Sequence, residues 1–370
     1  MKDLYRIISR LPNLHTAGMC KINALCLHPL PTQHQPGASA AAQRELSLRK
    51  ITLSLIRTQY LDPLRGVLSG SGSSIDTVSF HCIEFRAFEQ FRQFVRVFPM
   101  LKCLKAEVDW PYSSTRMELP PINSFTPMAS FIVPTVLREL DLRLLSEHVL
   151  IDILEWLVSI PGHVPLECVR VDGPNLLPLA DLLERFGPTI RELSLTTSSD
   201  EGRDLPTLAH CTNLEKLTLR MSSTNGSTPE ALVDILMALV GVLASITSTR
   251  LQFIDFEFLP AILPRLSGID YTGKNRALTP VFVKLAGLAD EILARDIYES
   301  LPQFDAEAPR GARIAIRHQH AEEHNLAFRR LACLLARVFE PWIERDVLSM
   351  TLQRKYFQGY AEEEETLYLS

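Results

Sequence analysis

Apolar residues along the chain fall into two rhythms, one recurring every second or third position and one at three- and four-residue intervals. The first rhythm has a fixed form. In LEKLTL (214–219), Leu214, Leu217 and Leu219 follow the spacing L-x-x-L-x-L. With any apolar residue allowed at these three anchors, the form recurs as LRKITL (48–53), IDTVSF (75–80), LRELDL (137–142), LECVRV (166–171) and IRELSL (190–195). It returns as LQFIDF (251–256) and LSGIDY (266–271), with a weaker copy in LKCLKA (101–106) and a weaker one still in LPNLHTAGM near Leu14. Between residues 48 and 251 the eight starts are separated by 24 to 37 residues. One copy is what any half-buried strand produces. Eight at such steps predict a repeating strand-plus-return unit, the form of a leucine-rich repeat.

The second rhythm fills the intervals. SEHVLIDILEWLVSI (146–160) sets Val149, Leu150, Ile153, Leu154 and Leu157 on one helical face, with Ser146 as the candidate N-cap. PLADLLERFGP (178–188) opens with Pro178 and stops at Gly187-Pro188, a helix-end signature. STPEALVDILMAL (227–239) predicts another helix, capped by Ser227 or Thr228. FRAFEQFRQFVRVF (85–98) places Phe85, Phe88, Phe91, Phe94 and Phe98 along a stripe that reads as core. No such unit buries its apolar face alone, so neighbours must stack. The expected fold is α/β: a leucine-rich-repeat solenoid with a parallel sheet on its concave face and helices on its convex face. It is expected to span residues 1–272. Residues 273–370 are expected to form a mainly helical C-terminal cap, helical over 276–301 and 320–358, with one further strand allowed at RIAI (313–316) and an acidic tail around Glu362–Glu365. Residues 31–43 and 111–134 read as irregular loops. No asparagine recurs after the strands, where Leu145, Pro174, Ser198 and Ser222 stand, so the turns need another source of hydrogen bonds.

Composition narrows the function. The net charge of −5 and pI near 6.1 argue against a general nucleic-acid binder. The longest apolar run, Ile235–Ile246, is too short for a membrane span, which needs about 20 residues, and reads as a buried helix. The opening MKDLYRIISRLPNLH has neither the apolar core nor the cleavage site of a secretory signal. Seven scattered cysteines form no C-x-x-C pair, which points to buried thiols in a reducing compartment, cytoplasmic or nuclear.

Three stretches invite a chemical reading. His320 and His324 in RHQHAEEHN are four apart, as metal ligands on a helix would be, but Ala321 stands where a zinc peptidase needs its glutamate base. LSGSGSSID (68–76) is glycine-rich, yet it leads into a strand rather than from a strand into a helix, and lacks G-K-[ST]. No G-x-S-x-G elbow occurs. The expectation is a chain without enzymatic activity, cofactor or metal.

What remains is the strand surface. If the leucines point inward, the residues between them face outward. From the fourth strand on these are Glu139, Asp141 and Arg143; Cys168, Arg170 and Asp172; Glu192, Ser194 and Thr196; Lys216, Thr218 and Arg220; Phe253, Asp255 and Glu257. Six acidic and four basic residues make a stripe of mixed sign, suited to a protein partner rather than to a polyanion. The charged residues of the stripe, with Thr218, are the candidate partner-binding set. No nucleic acid or membrane partner is expected.

The succession LRELDLRLLSEHVLIDILEWLVS, LLERFGPTIRELSL and LAHCTNLEKLTLRM resembles the repeat portion of the F-box-like leucine-rich-repeat families of mushroom-forming fungi, over roughly residues 46–260. That resemblance implies a substrate receptor of a cullin–RING ubiquitin ligase. In such proteins an F-box docks on the linker subunit and the solenoid presents the target. An F-box is not evident in the residues before the repeats, although Leu11-Pro12 carries its usual dipeptide. The expectation is therefore a truncated or a repeat-only relative, with docking on the linker subunit conditional on an upstream F-box. A scaffolding repeat protein without a ligase link is the alternative.

Overall fold

The computed structural model describes residues 16–20, 49–69, 74–111, 136–162, 164–197, 205–221, 229–258, 279–318, 325–355 and 362–367. The chain forms two compact units, Met1–Leu166 and Glu167–Ser370. Both are α/β, with parallel strands laid down in chain order.

In the first unit β1 (Thr16–Cys20), β2 (Lys50–Ser54), β3 (Thr77–Glu84), β4 (Cys103–Asp109) and β5 (Glu139–Leu142) each pair in parallel with the next. Parallel neighbours cannot be joined by a tight turn, so the chain must cross back between them. Helices α1 (Leu61–Leu68) and α2 (Phe88–Val95) lie on two of those returns, and α3 (Glu147–Ser159) follows β5. In the second unit the order is β6 (Cys168–Gly173), α4 (Leu179–Phe186), β7 (Glu192–Thr197), β8 (Lys216–Met221), α5 (Pro229–Ser245) and β9 (Phe253–Phe258). Then come α6 (Thr279–Leu293), α7 (Asp296–Glu299), β10 (Gly311–His318), α8 (Asn325–Val338), α9 (Glu340–Ile343), β11 (Leu348–Lys355) and β12 (Glu362–Leu367). Strands β6 to β11 are parallel to their neighbours, and β12 returns antiparallel to β11.

The strands begin two residues after the first apolar anchor, as at Ile75/Thr77, Leu101/Cys103, Leu137/Glu139, Ile190/Glu192, Leu214/Lys216 and Leu251/Phe253. Those first anchors are at most 3% exposed. The second and third anchors stack in rows across the strands. In the first unit the rows are Ile51-Val78-Leu104-Leu140 and Leu53-Phe80-Ala106-Leu142. In the second they are Leu193-Leu217-Ile254-Ala312 and Leu195-Leu219-Phe256-Ile314. All sixteen side chains are 2% exposed or less. Their burial removes apolar surface from water at about 25 cal/mol per Å², and a one-residue slip would forfeit a whole row.

At the strand starts the backbone itself ties neighbouring segments together. The residue just after the first anchor offers one carbonyl to two amides of the next strand segment. Arg49 O accepts from Asp76 and Thr77, Asp76 O from Lys102 and Cys103, and Lys102 O from Arg138 and Glu139, at 2.7–3.0 Å. The second unit repeats the device at Glu167 O, Arg191 O and Glu215 O, at 2.8–3.2 Å. Side chains add to it: Asn213 Nδ2 donates to Pro188 O at 2.7 Å, and Ser248 Oγ to Leu214 O at 2.8 Å.

The phenylalanine stripe forms the core of the first unit. Phe85, Phe91, Phe94 and Phe98 are at most 1% exposed, while Phe88 is half-buried. Phe80 meets Phe85, Phe91 and Phe94 edge-to-face with centroids 5.6–5.9 Å apart, the geometry the ring quadrupole favours. In the second unit Arg295 donates to Ala244 O and Ile246 O, at 2.7 and 3.0 Å, and so satisfies carbonyls at the end of α5.

Three expectations meet different outcomes. Ser146 does occupy the N-cap position of α3, but its side chain makes no cap hydrogen bond and instead donates to Asp109 Oδ1 at 3.3 Å. Residues 348–355, expected to be helical, form β11, where Leu348, Met350 and Leu352 alternate with Ser349, Thr351 and Gln353 at the period of a strand. Parallel strands therefore continue past Tyr271, through β10 over the RIAI segment and β11, and the acidic segment Glu362–Glu365 lies within β12. LSGIDY (266–271) lies outside the described residues. No helix among the described residues is long and apolar enough to cross a membrane.

Candidate functional site

Alternation puts the anchors of each strand on the helix-covered side and the intervening residues on an opposite, polar face. In the first unit, the register lines up Lys50-Thr77-Cys103-Glu139, then Thr52-Ser79-Lys105-Asp141. One step further on, Ser54, His81 and Glu107 are neighbours. In the second unit the rows are Cys168-Glu192-Lys216-Phe253, Arg170-Ser194-Thr218-Asp255 and Asp172-Thr196-Arg220-Glu257. Strands about 4.8 Å apart bring charges of one row within reach of each other.

Those charges are largely spent on one another. Arg143 donates from Nε and Nη2 to both oxygens of Asp141, each at 2.7 Å. Arg220 Nε lies 2.8 Å from Glu257, and Arg313 bonds both oxygens of Asp255 while its Nη2 is 3.8 Å from Glu257. Arg170 and Glu192 are 3.7 Å apart. Lys216 lies over the ring of Phe253 at 5.8 Å. Asp141, Asp255 and Glu257 are only 2–5% exposed, a burial a carboxylate tolerates when its lone pairs are taken by fixed donors.

The eleven residues of the candidate set therefore fall into two groups. Asp141, Thr218, Asp255 and Glu257 are buried, and the three carboxylates act by holding arginines in place. Glu139, Arg143, Arg170, Asp172, Glu192, Lys216 and Arg220 are exposed or half-exposed and form the accessible part of the faces. The set missed Arg313, which bridges two strands of the second unit, and the whole polar face of β2 to β4. The same offset rule, applied to the copies at residues 48, 75 and 101, identifies Lys50, Thr52, Ser79, His81, Lys105 and Glu107.

On this first-unit face lies a cavity of about 190 Å³ lined by those six residues, Asp141 and Arg143 among others. Beside it the β3 strand bulges between His81 and Ile83, and Cys82 adopts a left-handed conformation with φ 51°. Its exposed thiol donates to Glu107 Oε1 at 3.0 Å, and that hydrogen bond pushes the thiol pKa above its ordinary value. His81 Nδ1 is 3.5 Å from the other oxygen of Glu107. A raised thiol pKa is the reverse of what a nucleophilic cysteine needs. Cys103 and Cys211 are pushed further, to about 12, chiefly by burial. Among the described residues no cluster of three His, Cys, Asp or Glu side chains could hold a metal ion; His320 and His324 lie outside them.

No family model, curated protein or solved structure matches the chain at a significant level.

Proposed function

We propose that the chain is a non-enzymatic protein-recognition module, a leucine-rich-repeat solenoid whose polar strand faces bind a protein target. The observation that carries this reading is the row-by-row register of charged residues on the faces. Buried carboxylates pin arginines such as Arg143 and Arg220 while leaving 57% and 40% of those side chains exposed. Arginines held this way present donors with little side-chain entropy left to lose on association. Mixed sign along the face favours a protein partner over a nucleic acid.

The resemblance to fungal F-box-like repeat families supports a narrower version, a substrate receptor for ubiquitin ligation acting in the cytoplasm or nucleus. A scaffolding role without a ligase shares the recognition face and lacks only the linker contact. A binding assay with the ligase's linker subunit separates the two, using the chain extended by any F-box encoded upstream of Met1. Binding supports the receptor; its absence from the extended chain removes the ubiquitin reading and leaves the scaffold.

Recognition itself is tested by reversing the accessible cations Arg170, Lys216 and Arg220 to Glu. The triple variant is expected to lose at least tenfold in affinity for a protein partner captured by the wild type, which is about 1.4 kcal/mol. Retention of that partner at full strength contradicts the reading.

A further inference from the structure

We propose that the cavity on the polar face of the first unit is a binding site for a tetrahedral oxyanion of the phosphate monoester class. This inference rests on the first unit alone and goes beyond the protein-recognition reading.

The cavity floor is one row of the register: Thr52, Ser79 and Lys105 lie side by side on β2, β3 and β4, with Asp141 next on β5. Lys50, two residues before Thr52 and exposed, lines the same cavity. At a share of about 30 Å³ per water, a cavity of about 190 Å³ holds roughly six waters. A five-heavy-atom anion and a few waters therefore fit.

Charge decides what the cavity prefers. Its two carboxylates are already engaged: Asp141 by the fork of Arg143 at 2.7 Å, and Glu107 by the Cys82 thiol at 3.0 Å with His81 at 3.5 Å. Lys50 and Lys105 have no carboxylate within 4.0 Å among the described residues. Two ammonium groups and two hydroxyl donors, from Thr52 and Ser79, are left facing the space. A flat carboxylate ligand is best held by a guanidinium fork, and the guanidinium lining the cavity already grips Asp141. Ammonium point charges and hydroxyls converging from different strands match the oxygens of a tetrahedral anion instead. Lys50, Lys105 and Arg143 set against Asp141 and Glu107 leave the lining one positive charge in excess, so it favours an anion.

The test is calorimetric titration of the full chain at low ionic strength with inorganic phosphate, then with a phosphoserine peptide and its unphosphorylated counterpart. Saturable binding of inorganic phosphate at one site per chain is expected. Lys105→Met and Lys50→Met should each weaken it about tenfold, the size of a charge-assisted hydrogen bond. Lys216→Met, in the second unit, should leave it unchanged. Circular dichroism identical to wild type confirms that each variant is folded, and Lys105→Arg should retain binding. Equal affinity for the ion and the peptide assigns a free phosphate; tighter binding of the phosphopeptide, with the same lysine dependence, assigns a protein-borne one. No saturable binding of either phosphate up to about 10 mM, or binding indifferent to both lysine replacements, overturns the proposal.

Discussion

Arg313 and Asp255 stand opposite each other on neighbouring parallel strands, and the guanidinium grips both carboxylate oxygens, Nε to Oδ1 at 2.9 Å and Nη2 to Oδ2 at 2.7 Å. The same Nη2 reaches toward Glu257 at 3.8 Å. One cation thus serves two carboxylates whose side chains are 7% and 3% exposed. Removing it strips both donors from the buried Asp255 carboxylate and takes a cation from beside Glu257. Arg313→Met is expected to destabilise the second unit by about 3 kcal/mol, read as a lower denaturant midpoint at unchanged slope. Adding Asp255→Leu should recover most of the loss, because an apolar pair of similar volume tolerates the site. A single-variant loss below about 0.5 kcal/mol would show that the pair is a solvated contact.

Phe91 makes edge contacts with Phe80 and Phe85 and a further one with Trp156, and is fully buried. Phe91→Ala should cost about 3–5 kcal/mol, and Phe91→Leu, which keeps most of the volume, under about 2 kcal/mol. Equilibrium unfolding of both variants checks the order; equal costs would mean that the space collapses on truncation.

The strands whose three anchors are all large and apolar were legible in the sequence as segments, although each begins two residues after its first anchor. Of the two later parallel strands, β10 was legible only as an allowed strand at RIAI and β11 was read as helix, and the reason is local. Continuing the register from β9 to β10 sets Ala312 opposite Ile254, which puts Pro309 at the first-anchor position. Continuing it to β11 sets Leu348 opposite Ala312, which puts Arg345 there. A proline, an alanine and an arginine at anchor positions erase a pattern defined by hydrophobicity. Arg345 serves the site by donating to Tyr298 O and Glu299 O at 3.1 and 2.9 Å, contacts that no local spacing announces. On the polar face, alternation predicts which residues share a side. It does not predict which carboxylates are buried, since that depends on arginines such as Arg313, some 58 residues from Asp255 in the chain.

Gly311 opens β10 at φ 80°, and a Cβ there would lie 2.7 Å from Val347 O and 2.8 Å from Phe304 Cα. Gly162 has φ 96° but open space around it. Both positions penalise a side chain through φ, and only Gly311 adds a clash with backbone. Gly162→Ala should cost about 1 kcal/mol and Gly311→Ala about 3 kcal/mol or more. Thermal unfolding of the two variants reads the difference, and equal shifts would place the β9–β10 junction under no steric constraint.

The buried thiols set an alkaline limit. Cys103 and Cys211 are raised from 9.0 to about 12 in the folded chain, chiefly by burial, so the fold favours their protonated forms. Their contribution is complete below pH 9 and is lost as pH climbs from 9 toward 12. Wild type should therefore lose stability over this range faster than Cys103→Ala/Cys211→Ala, as followed by denaturant midpoints at pH 8 and pH 10.5. Parallel curves for the two proteins would show that neither thiol is linked to folding.

Site-specific photo-crosslinking tests the recognition face most directly. Glu192 on β7 and Glu184 on α4 are both exposed, the first on the polar strand face and the second on a helix of the same unit. A photoreactive residue at each position, introduced into the full chain in cells, compares the two surfaces with one chemistry. Position 192 is expected to yield a discrete protein adduct that is lost when Arg170, Lys216 and Arg220 are reversed to Glu, with none at position 184. No adduct at 192 from a folded chain, or the same adducts from 184, would contradict a protein-recognition role for the polar strand face.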